Sequence, residues 1–267
     1  MTDPIPLNKN DKPENASSGA LLCRNMIAIA SGKGGVGKTW FAITLSHALA
    51  KRGKNVLLFD GDLGLANVDI QLGLTPDRDL AAVVEGSATL AGAVSKYKEG
   101  GFDILAGRSG SGTLASLATQ KLSDLRNELI NLARSYDHVL IDLGAGVDRS
   151  VRQMAGPAAI TYVVVTDEPT SLTDAYAFIK LGRAANPRAD MRMVVNMAAN
   201  ASEGQKTYET IKKACESFLG YTPPLAGIVR RDTKVRDAIR AQTPIMTRSP
   251  GSDAASDVEA IARQIGG

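Results

Sequence analysis

The sequence is poor in cysteine and contains no long apolar run. Only Cys23 and Cys215 are cysteines, and they have no CxxC spacing, so the chain offers neither a disulfide framework nor a zinc-type metal site. No apolar run approaches the roughly 18 residues that a membrane-spanning helix needs, and residues 1–20 lack the hydrophobic core of a signal peptide. We therefore expect a soluble protein of the reducing cytoplasm.

Neither sign of charge dominates the composition. The chain has 31 Lys and Arg residues against 28 Asp and Glu residues, so any contact with nucleic acid or membrane must come from a local cluster. Aromatic residues make up only 4%, but 44% of the residues are hydrophobic, which is enough for one substantial core. We expect a disordered polar tail over residues 1–24 and a single domain over residues 25–267.

From Met26 onward, short apolar runs alternate with longer segments of helical period. The apolar runs predict buried strands: MIAIAS, NVLLFD, FDILAG, HVLIDLG, AITYVVVT, MRMVVNM and LAGIV. The helix candidates are TWFAITLSHALAKRG, LSDLRNELINLARSY, SLTDAYAFIKLGRAAN and QKTYETIKKACESFLG. This alternation predicts an α/β fold with three layers, in which helices cover both faces of a mostly parallel sheet. Ligands of such sheets bind at the carboxyl ends of the strands.

A glycine-rich segment, SGKGGVGKT, follows the first predicted strand at residues 31–39, and we call it the phosphate loop. It fits the pattern G-x-x-x-x-G-K-[ST] between a strand and a helix, a context that favours a phosphate site over a ligand-free turn. Lys38 would hold the β- and γ-phosphates, and the Thr39 hydroxyl would bind Mg²⁺. The nucleotide-binding set predicted here is Gly34, Gly35, Val36, Gly37, Lys38, Thr39 and Trp40.

Acidic residues end two further strands. Asp60 and Asp62 close the second strand, and alternation would turn both carboxylates to the same side, facing the phosphate loop. A water that attacks a γ-phosphate needs an acceptor to orient it, which such a carboxylate supplies. Asp142 closes another strand and can bind Mg²⁺, and the amide of Gly146 can approach the γ-phosphate.

The segment KGGVGKT resembles the deviant phosphate loop of the MinD/ParA family of ATPases, a branch of the P-loop NTPases. The resemblance implies that Lys33 crosses the interface of an ATP-dependent homodimer and touches the partner's nucleotide. It also implies that hydrolysis of Mg-ATP is slow and partner-stimulated, with Asp62 acting in catalysis and at the metal. Asn67 would be a further nucleotide-binding residue in the segment after Asp60 and Asp62, which we call the acidic loop, and Asn196 and Asp232 would lie at the adenine.

Two stretches, FDGDLGLANVDIQLGL and VTDEPTSLTDAYAFIK, look more like the FlhG group, also called FleN, than like MinD or ParA. That group limits flagellar number and placement together with the GTPase FlhF, so the resemblance implies FlhF-like or flagellar assembly partners. The C-terminal helix lacks the basic membrane-targeting pattern, so recruitment to a pole or to the inner membrane face would need a partner.

Some residues depart from the family's pattern and leave other functions open. Trp40 stands where a small residue is usual, Met197 replaces an arginine, and the pattern G-x-I-P-x-D appears as GIVRRD at residues 227–232. Basic residues over 230–240 form a solvated helix face or, doubled in a dimer, a weak DNA-binding strip. The alternatives are a ParA-like DNA-associated partition or cargo-positioning ATPase, and a nucleotide-binding scaffold that hydrolyses poorly.

Overall fold

The computed structural model describes residues 22–107 and 117–265. Its eight-stranded sheet has the order β3-β4-β2-β5-β1-β6-β7-β8. All neighbouring strands are parallel except β3 and β4, which form an antiparallel edge. The strands are β1 (Cys23–Ser31), β2 (Val56–Gly61), β3 (Ser95–Tyr97), β4 (Phe102–Leu105), β5 (His138–Ala145), β6 (Ala158–Val165), β7 (Asp190–Ala198) and β8 (Leu225–Arg230).

Alternate residues of the central strand serve two separate cores, as a sheet buried on both faces requires. On β1, Met26, Ala28 and Ala30 join one apolar cluster, whereas Ile27 and Ile29 join the other. The expected three-layer α/β fold is confirmed, because helices pack on each of these clusters.

The helices have the following bounds: α1 (Lys38–Lys51), α2 (Val68–Leu72), α3 (Leu80–Val84), α4 (Thr119–Ala133), α5 (Arg149–Ala155), α6 (Pro169–Ala185), α7 (Ala201–Leu219), α8 (Thr233–Arg240), α9 (Ile245–Arg248) and α10 (Asp253–Ala262). Helices α3 to α7 pack on the face that includes Met26. Helices α1, α2 and α8 to α10 pack on the face that includes Ile27.

Strand β1 begins within the segment that was expected to be a tail. Cys23 belongs to the strand, where its N–H donates to the carbonyl oxygen of Pro157 at 2.8 Å, so the sheet begins two residues before the expected domain start. Backbone pairing with the segment before β6 extends the strand beyond its apolar run. The tail prediction for residues 1–21 lies outside the described residues.

The C-terminal helix α10 packs on the domain, as its apolar face predicts. Val258, Ile261, Ala262 and Ile265 are all buried, and the helix contacts α1 and β8. Gly227 of β8 permits this approach, because a Cβ there would lie 2.6 Å from Cγ1 of Ile261. In the described part of the chain, no helix is both long and apolar enough to cross a membrane.

We expect Ile261→Ala to lower the free energy of unfolding by about 2–5 kcal/mol, because it leaves a cavity between α10 and β8. Arg263→Ala, at an exposed position after the same helix, should change the free energy of unfolding by about 0.5 kcal/mol or less. Urea denaturation followed by circular dichroism measures both. Equal effects of the two variants would show that α10 is not part of the core.

Candidate functional site

The phosphate loop joins β1 to α1 through two glycines with left-handed backbone. Gly35 has a φ of 80° and Gly37 has a φ of 88°, conformations that favour glycine over other residues. Asn196, which is 3% exposed, donates from Nδ2 to the carbonyl oxygen of Val36 at 2.8 Å. A Cβ on Gly37 would lie 2.5 Å from that nitrogen, so this glycine also permits the close packing of Asn196. Asn196, the predicted adenine ligand, therefore holds the loop with one N–H of its side-chain amide.

Lys38, Thr39, Asp62 and Asp142 lie together at the carboxyl edge of the sheet. Lys38 is the first residue of α1 and is only 8% exposed. Burial lowers its pKa, and the nearby carboxylates of Asp142 and Asp62 oppose that change. Asp142 is 1% exposed; burial raises its pKa to about 7, opposed by the Thr39 hydroxyl that hydrogen-bonds it and by Lys38. The arrangement concentrates one cation and two carboxylates beside the phosphate loop.

Asp60 does not face the phosphate loop as expected. Its carboxylate accepts the backbone N–H groups of Asp62 at 3.2 Å, Asn67 at 3.0 Å and Val68 at 3.1 Å. Asp60 lies beside Asp142 in the parallel register of β2 and β5, and burial with this neighbour raises its pKa to about 8. The turn after β2 leaves three backbone N–H groups inside the protein, and the Asp60 carboxylate satisfies them. Asp60 thus anchors the loop that carries Asp62.

Asp62 and Asn67 both form hydrogen bonds within the acidic loop, Asp62 as an acceptor and Asn67 as a donor. The Oδ1 atom of Asp62 accepts the N–H groups of Gly64 at 3.3 Å and Leu65 at 3.0 Å. Its carboxylate also lies against Gly144, where a Cβ would be 3.3 Å from Oδ1. The side chain of Asn67 donates to the carbonyl of Leu65 within the same loop.

Gly146 has a φ of 103°, a backbone conformation that favours glycine. Its amide, however, donates to the carbonyl oxygen of Ser31 at 3.0 Å, so in this structure the N–H expected at the γ-phosphate is already paired. The reason is the pairing of β5 with β1, which continues to Ala145 opposite Ser31.

Lys33 lies at the edge of the site and is held within its own chain. Its Nζ donates to a carboxylate oxygen of Glu168 and, at 2.9 Å, to the hydroxyl of Thr170. These partners flank Pro169 at the start of α6. They fall within VTDEPTSLTD, a stretch that the sequence marks out, but nothing in its pattern shows that it binds Lys33.

A cavity of about 400 Å³ opens beside Gly37. Trp40, Asn196 and Met197 line one side, and Arg230, Arg231, Asp232, Val235, Arg236, Ile239 and Arg240 line the other. Trp40 is buried and only 6% exposed. Asp232 caps α8 by accepting the N–H of Lys234 at 2.9 Å. Arg231, Arg236 and Arg240 are exposed, as expected for a solvated face, and they also line this cavity.

The residues present fit a magnesium nucleotide. Oδ1 of Asp142 is buried and has no hydrogen-bond partner among the residues that the structure describes. Such an oxygen, beside a threonine hydroxyl, is a suitable direct or water-mediated partner for a hard cation. The loop glycines and the start of α1 form the kind of cradle that phosphates bind.

This geometry belongs to a known class of nucleotide-binding domains. Residues 27–245 match the CobQ/CobB/MinD/ParA nucleotide binding domain, and the chain is a member of that family. The resemblance inferred from the phosphate loop is thereby confirmed over nearly the whole described domain.

Three individual proteins are similar to this chain. The chain is 37% identical over 240 residues to the antiactivator FleN of Pseudomonas aeruginosa, covering 90% of this chain and 85% of that protein. It is 31% identical to the flagellum site-determining protein YlxH of Helicobacter pylori, over 72% of this chain and 64% of that protein. The structure of the septum site-determining protein MinD of Pyrococcus horikoshii, complexed with Mg-ADP, has a similar fold. Its TM-score is 0.77 at 24% identity, covering 91% of this chain and 96% of that one.

We expect Asp142→Asn to weaken the pH dependence of stability in the nucleotide-free protein. The native carboxyl, with a pKa of about 7, holds its proton more firmly than the unfolded chain does. Stability should therefore fall as pH rises from about 4 to about 7, and the amide removes this contribution. Melting temperatures at about pH 5 and about pH 8 test the effect. Asp77→Asn, at an exposed acid, is the control, and parallel curves for both variants and the parent would contradict the assignment.

Proposed function

We propose that this chain hydrolyses ATP to ADP and phosphate with Mg²⁺, dimerises around ATP, and regulates the number or placement of flagella. The observation that carries the ATPase proposal is the grouping of Lys38, Thr39, Asp62 and Asp142 beside the phosphate loop. Membership of the nucleotide-binding family supports it. The flagellar part is supported by the likeness to FleN and to the flagellum site-determining protein.

Different groups of the site would bind the phosphates and the metal ion. The backbone of residues Gly34–Gly37 and the start of α1 would hold the phosphates, and Lys38 would contact the β- and γ-phosphate oxygens. The Thr39 hydroxyl and the Asp142 carboxylate would hold Mg²⁺, which neutralises charge on the phosphates when bound. An anionic ligand also compensates the buried cation of Lys38, whose pKa is lowered by burial.

Asp62 is the proposed acceptor that orients the attacking water, and it would also assist at the metal, since it lies near Asp142 and Lys38. Its position depends on Asp60, whose three backbone hydrogen bonds shape the loop between β2 and α2. No histidine or other strong base is assigned at the site, so catalysis would rest on positioning and charge. We therefore infer a slow hydrolysis that a partner accelerates.

Lys33 would act on the nucleotide of the other subunit. To do so it must leave Glu168 and Thr170, both at the exposed start of α6. The ion pair is solvent-accessible, with 37% and 60% of the two side chains exposed, so breaking it costs little. A negative γ-phosphate in a dimer interface is a stronger partner for the lysine than an exposed carboxylate. The C-terminal helix is packed on the domain, so the protein would reach a pole or membrane through a partner.

We expect Lys38→Ala to weaken Mg-ATP binding by about 100-fold or more, because charged hydrogen bonds to two phosphates are lost. Asp62→Ala should retain binding and lose turnover. Isothermal titration calorimetry and a phosphate-release assay separate the two variants. Unchanged affinity in Lys38→Ala would refute the phosphate-loop assignment, and unchanged turnover in Asp62→Ala would remove that residue from catalysis.

We expect Lys33→Ala to bind ATP with near-parental affinity but to remain a monomer when ATP is added. Light scattering with a slowly hydrolysed ATP analogue measures the mass. Lys98→Ala is the matched control, because Lys98 is an exposed lysine in the segment before β4, outside the site. An intact dimer of Lys33→Ala would show that Lys33 is only a surface charge.

The flagellar role predicts that deleting the gene increases or misplaces flagella. Electron microscopy of the deletion strain counts and locates them, and complementation with the Asp62→Ala protein tests whether turnover is needed. An unchanged flagellar pattern would move the function to another cargo and leave the ATPase proposal in place.

A further inference from the structure

Gln242, in the turn after α8, is hydrogen-bonded to the short helix that follows the acidic loop. Its Nε2 atom donates to the carbonyl oxygen of Ile70 in α2 at 3.0 Å. The two residues lie 172 positions apart in the sequence, so this hydrogen bond connects two separate elements. Gly73, directly after α2, allows the approach, because a Cβ there would lie 2.9 Å from Oε1 of Gln242.

The backbone of Gln242 is unusual for a residue that has a side chain. Its φ is 50°, in the left-handed region, and in the described part of the chain only Met197 shares this property among residues other than glycine. Such a conformation lowers stability, and it persists where surrounding contacts fix it. Here the N–H of Gln242 donates to the carbonyl oxygen of Ile239, and the N–H of Thr243 donates to that of Ala238. The turn therefore holds the side chain of Gln242 against α2.

Helix α2 needs such contacts to keep its orientation. It has five residues, too few for an isolated helix to be stable, and Val68 and Leu72 are its buried residues. The carboxylate of Asp60 holds its first residue through the N–H of Val68. Gln242 holds its middle through the carbonyl of Ile70. The orientation of α2 therefore depends on these two hydrogen-bonding side chains.

A continuous series of hydrogen bonds connects α2 to Asp62. The N–H of Gln71 donates to the carbonyl oxygen of Asn67 at 3.0 Å, and the side chain of Asn67 donates to the carbonyl of Leu65. The N–H of Leu65 in turn donates to Oδ1 of Asp62 at 3.0 Å. A change in the orientation of α2 would therefore move the carboxylate of Asp62.

We propose that Gln242 is a positioning residue for hydrolysis, which acts through α2 and the acidic loop on the carboxylate of Asp62. This inference rests on the proposed hydrolysis of ATP and on the role of Asp62 in it. Gln242 does not line the cavity beside Gly37, so its effect should fall on turnover rather than on nucleotide affinity.

Two substitutions of Gln242 separate the hydrogen bond from the size of the side chain. Gln242→Glu keeps the size and removes the donor, whereas Gln242→Lys keeps a donor long enough to reach the carbonyl of Ile70. We expect Gln242→Glu to lower kcat for Mg-ATP by about threefold to tenfold, the contribution of one hydrogen bond, and to leave the Kd within about twofold. Gln242→Lys should recover most of the turnover. Phosphate release and isothermal titration calorimetry measure the two quantities.

Gln264→Glu is the matched control. The Nε2 atom of Gln264 also donates to a backbone carbonyl, that of Ala226 in the edge strand β8, at 3.1 Å. This variant should leave kcat unchanged. Hydrogen exchange in the nucleotide-free protein adds a measurement that does not depend on turnover. The N–H groups of Gly64 and Leu65, which donate to Asp62, should exchange faster in Gln242→Glu and not in Gln264→Glu.

The possible failures can be told apart. A kcat of Gln242→Glu that equals that of the parent, or that falls no more than in Gln264→Glu, would overturn the proposal and leave the ATPase function standing. A weaker Kd with unchanged kcat would also overturn it, because Gln242 would then act on nucleotide binding. Unchanged exchange at Gly64 and Leu65 would show that Gln242 does not act through the acidic loop. Absence of turnover in the parent would overturn both the proposed hydrolysis and this role of Gln242.

Discussion

The structure of the site depends on placing ionisable groups inside the protein at the carboxyl edge of the central strands. Lys38, Asp60 and Asp142 are buried, and burial disfavours the charged form of all three. Asp60 and Asp142 are neighbours across β2 and β5, so each raises the cost of ionising the other. Burying such a cluster lowers the stability of the nucleotide-free protein, and a bound cation and polyphosphate would offset that loss.

The surrounding fold keeps these groups in place. Strand β5 lies between β1 and β2, so the phosphate loop, the acidic loop and Asp142 all emerge from adjacent strands. The packing of both sheet faces leaves these strand ends little freedom to move. By contrast, Lys33 and its partner Glu168 are held by an exposed ion pair, which suits a side chain that must change partners.

Much of the sheet and the phosphate loop could be predicted, because the patterns that indicate them lie in short continuous stretches of sequence. Apolar strands and amphipathic helices define the sheet, and the motif around Lys38 requires a strand before it and a helix after it. The role of Asp60 could not be predicted in the same way, because the direction of a carboxylate at a strand end depends on which amides the following turn leaves unpaired. Short elements such as β3 and α2 were also missed, since their segments carry too few periodic residues. That the arginines of α8 line a cavity could not be predicted, because their spacing does not reveal what α8 covers.

We propose that the buried cluster of Lys38, Asp60 and Asp142 is completed by a magnesium nucleotide. Calorimetric titration of the parent chain with ATP, with and without Mg²⁺, is the measurement that decides this. We expect saturable binding of one nucleotide per chain that is clearly tighter with Mg²⁺ than with a chelator. Binding that is absent, or that is the same with and without Mg²⁺, would show that the cluster does not hold a magnesium nucleotide.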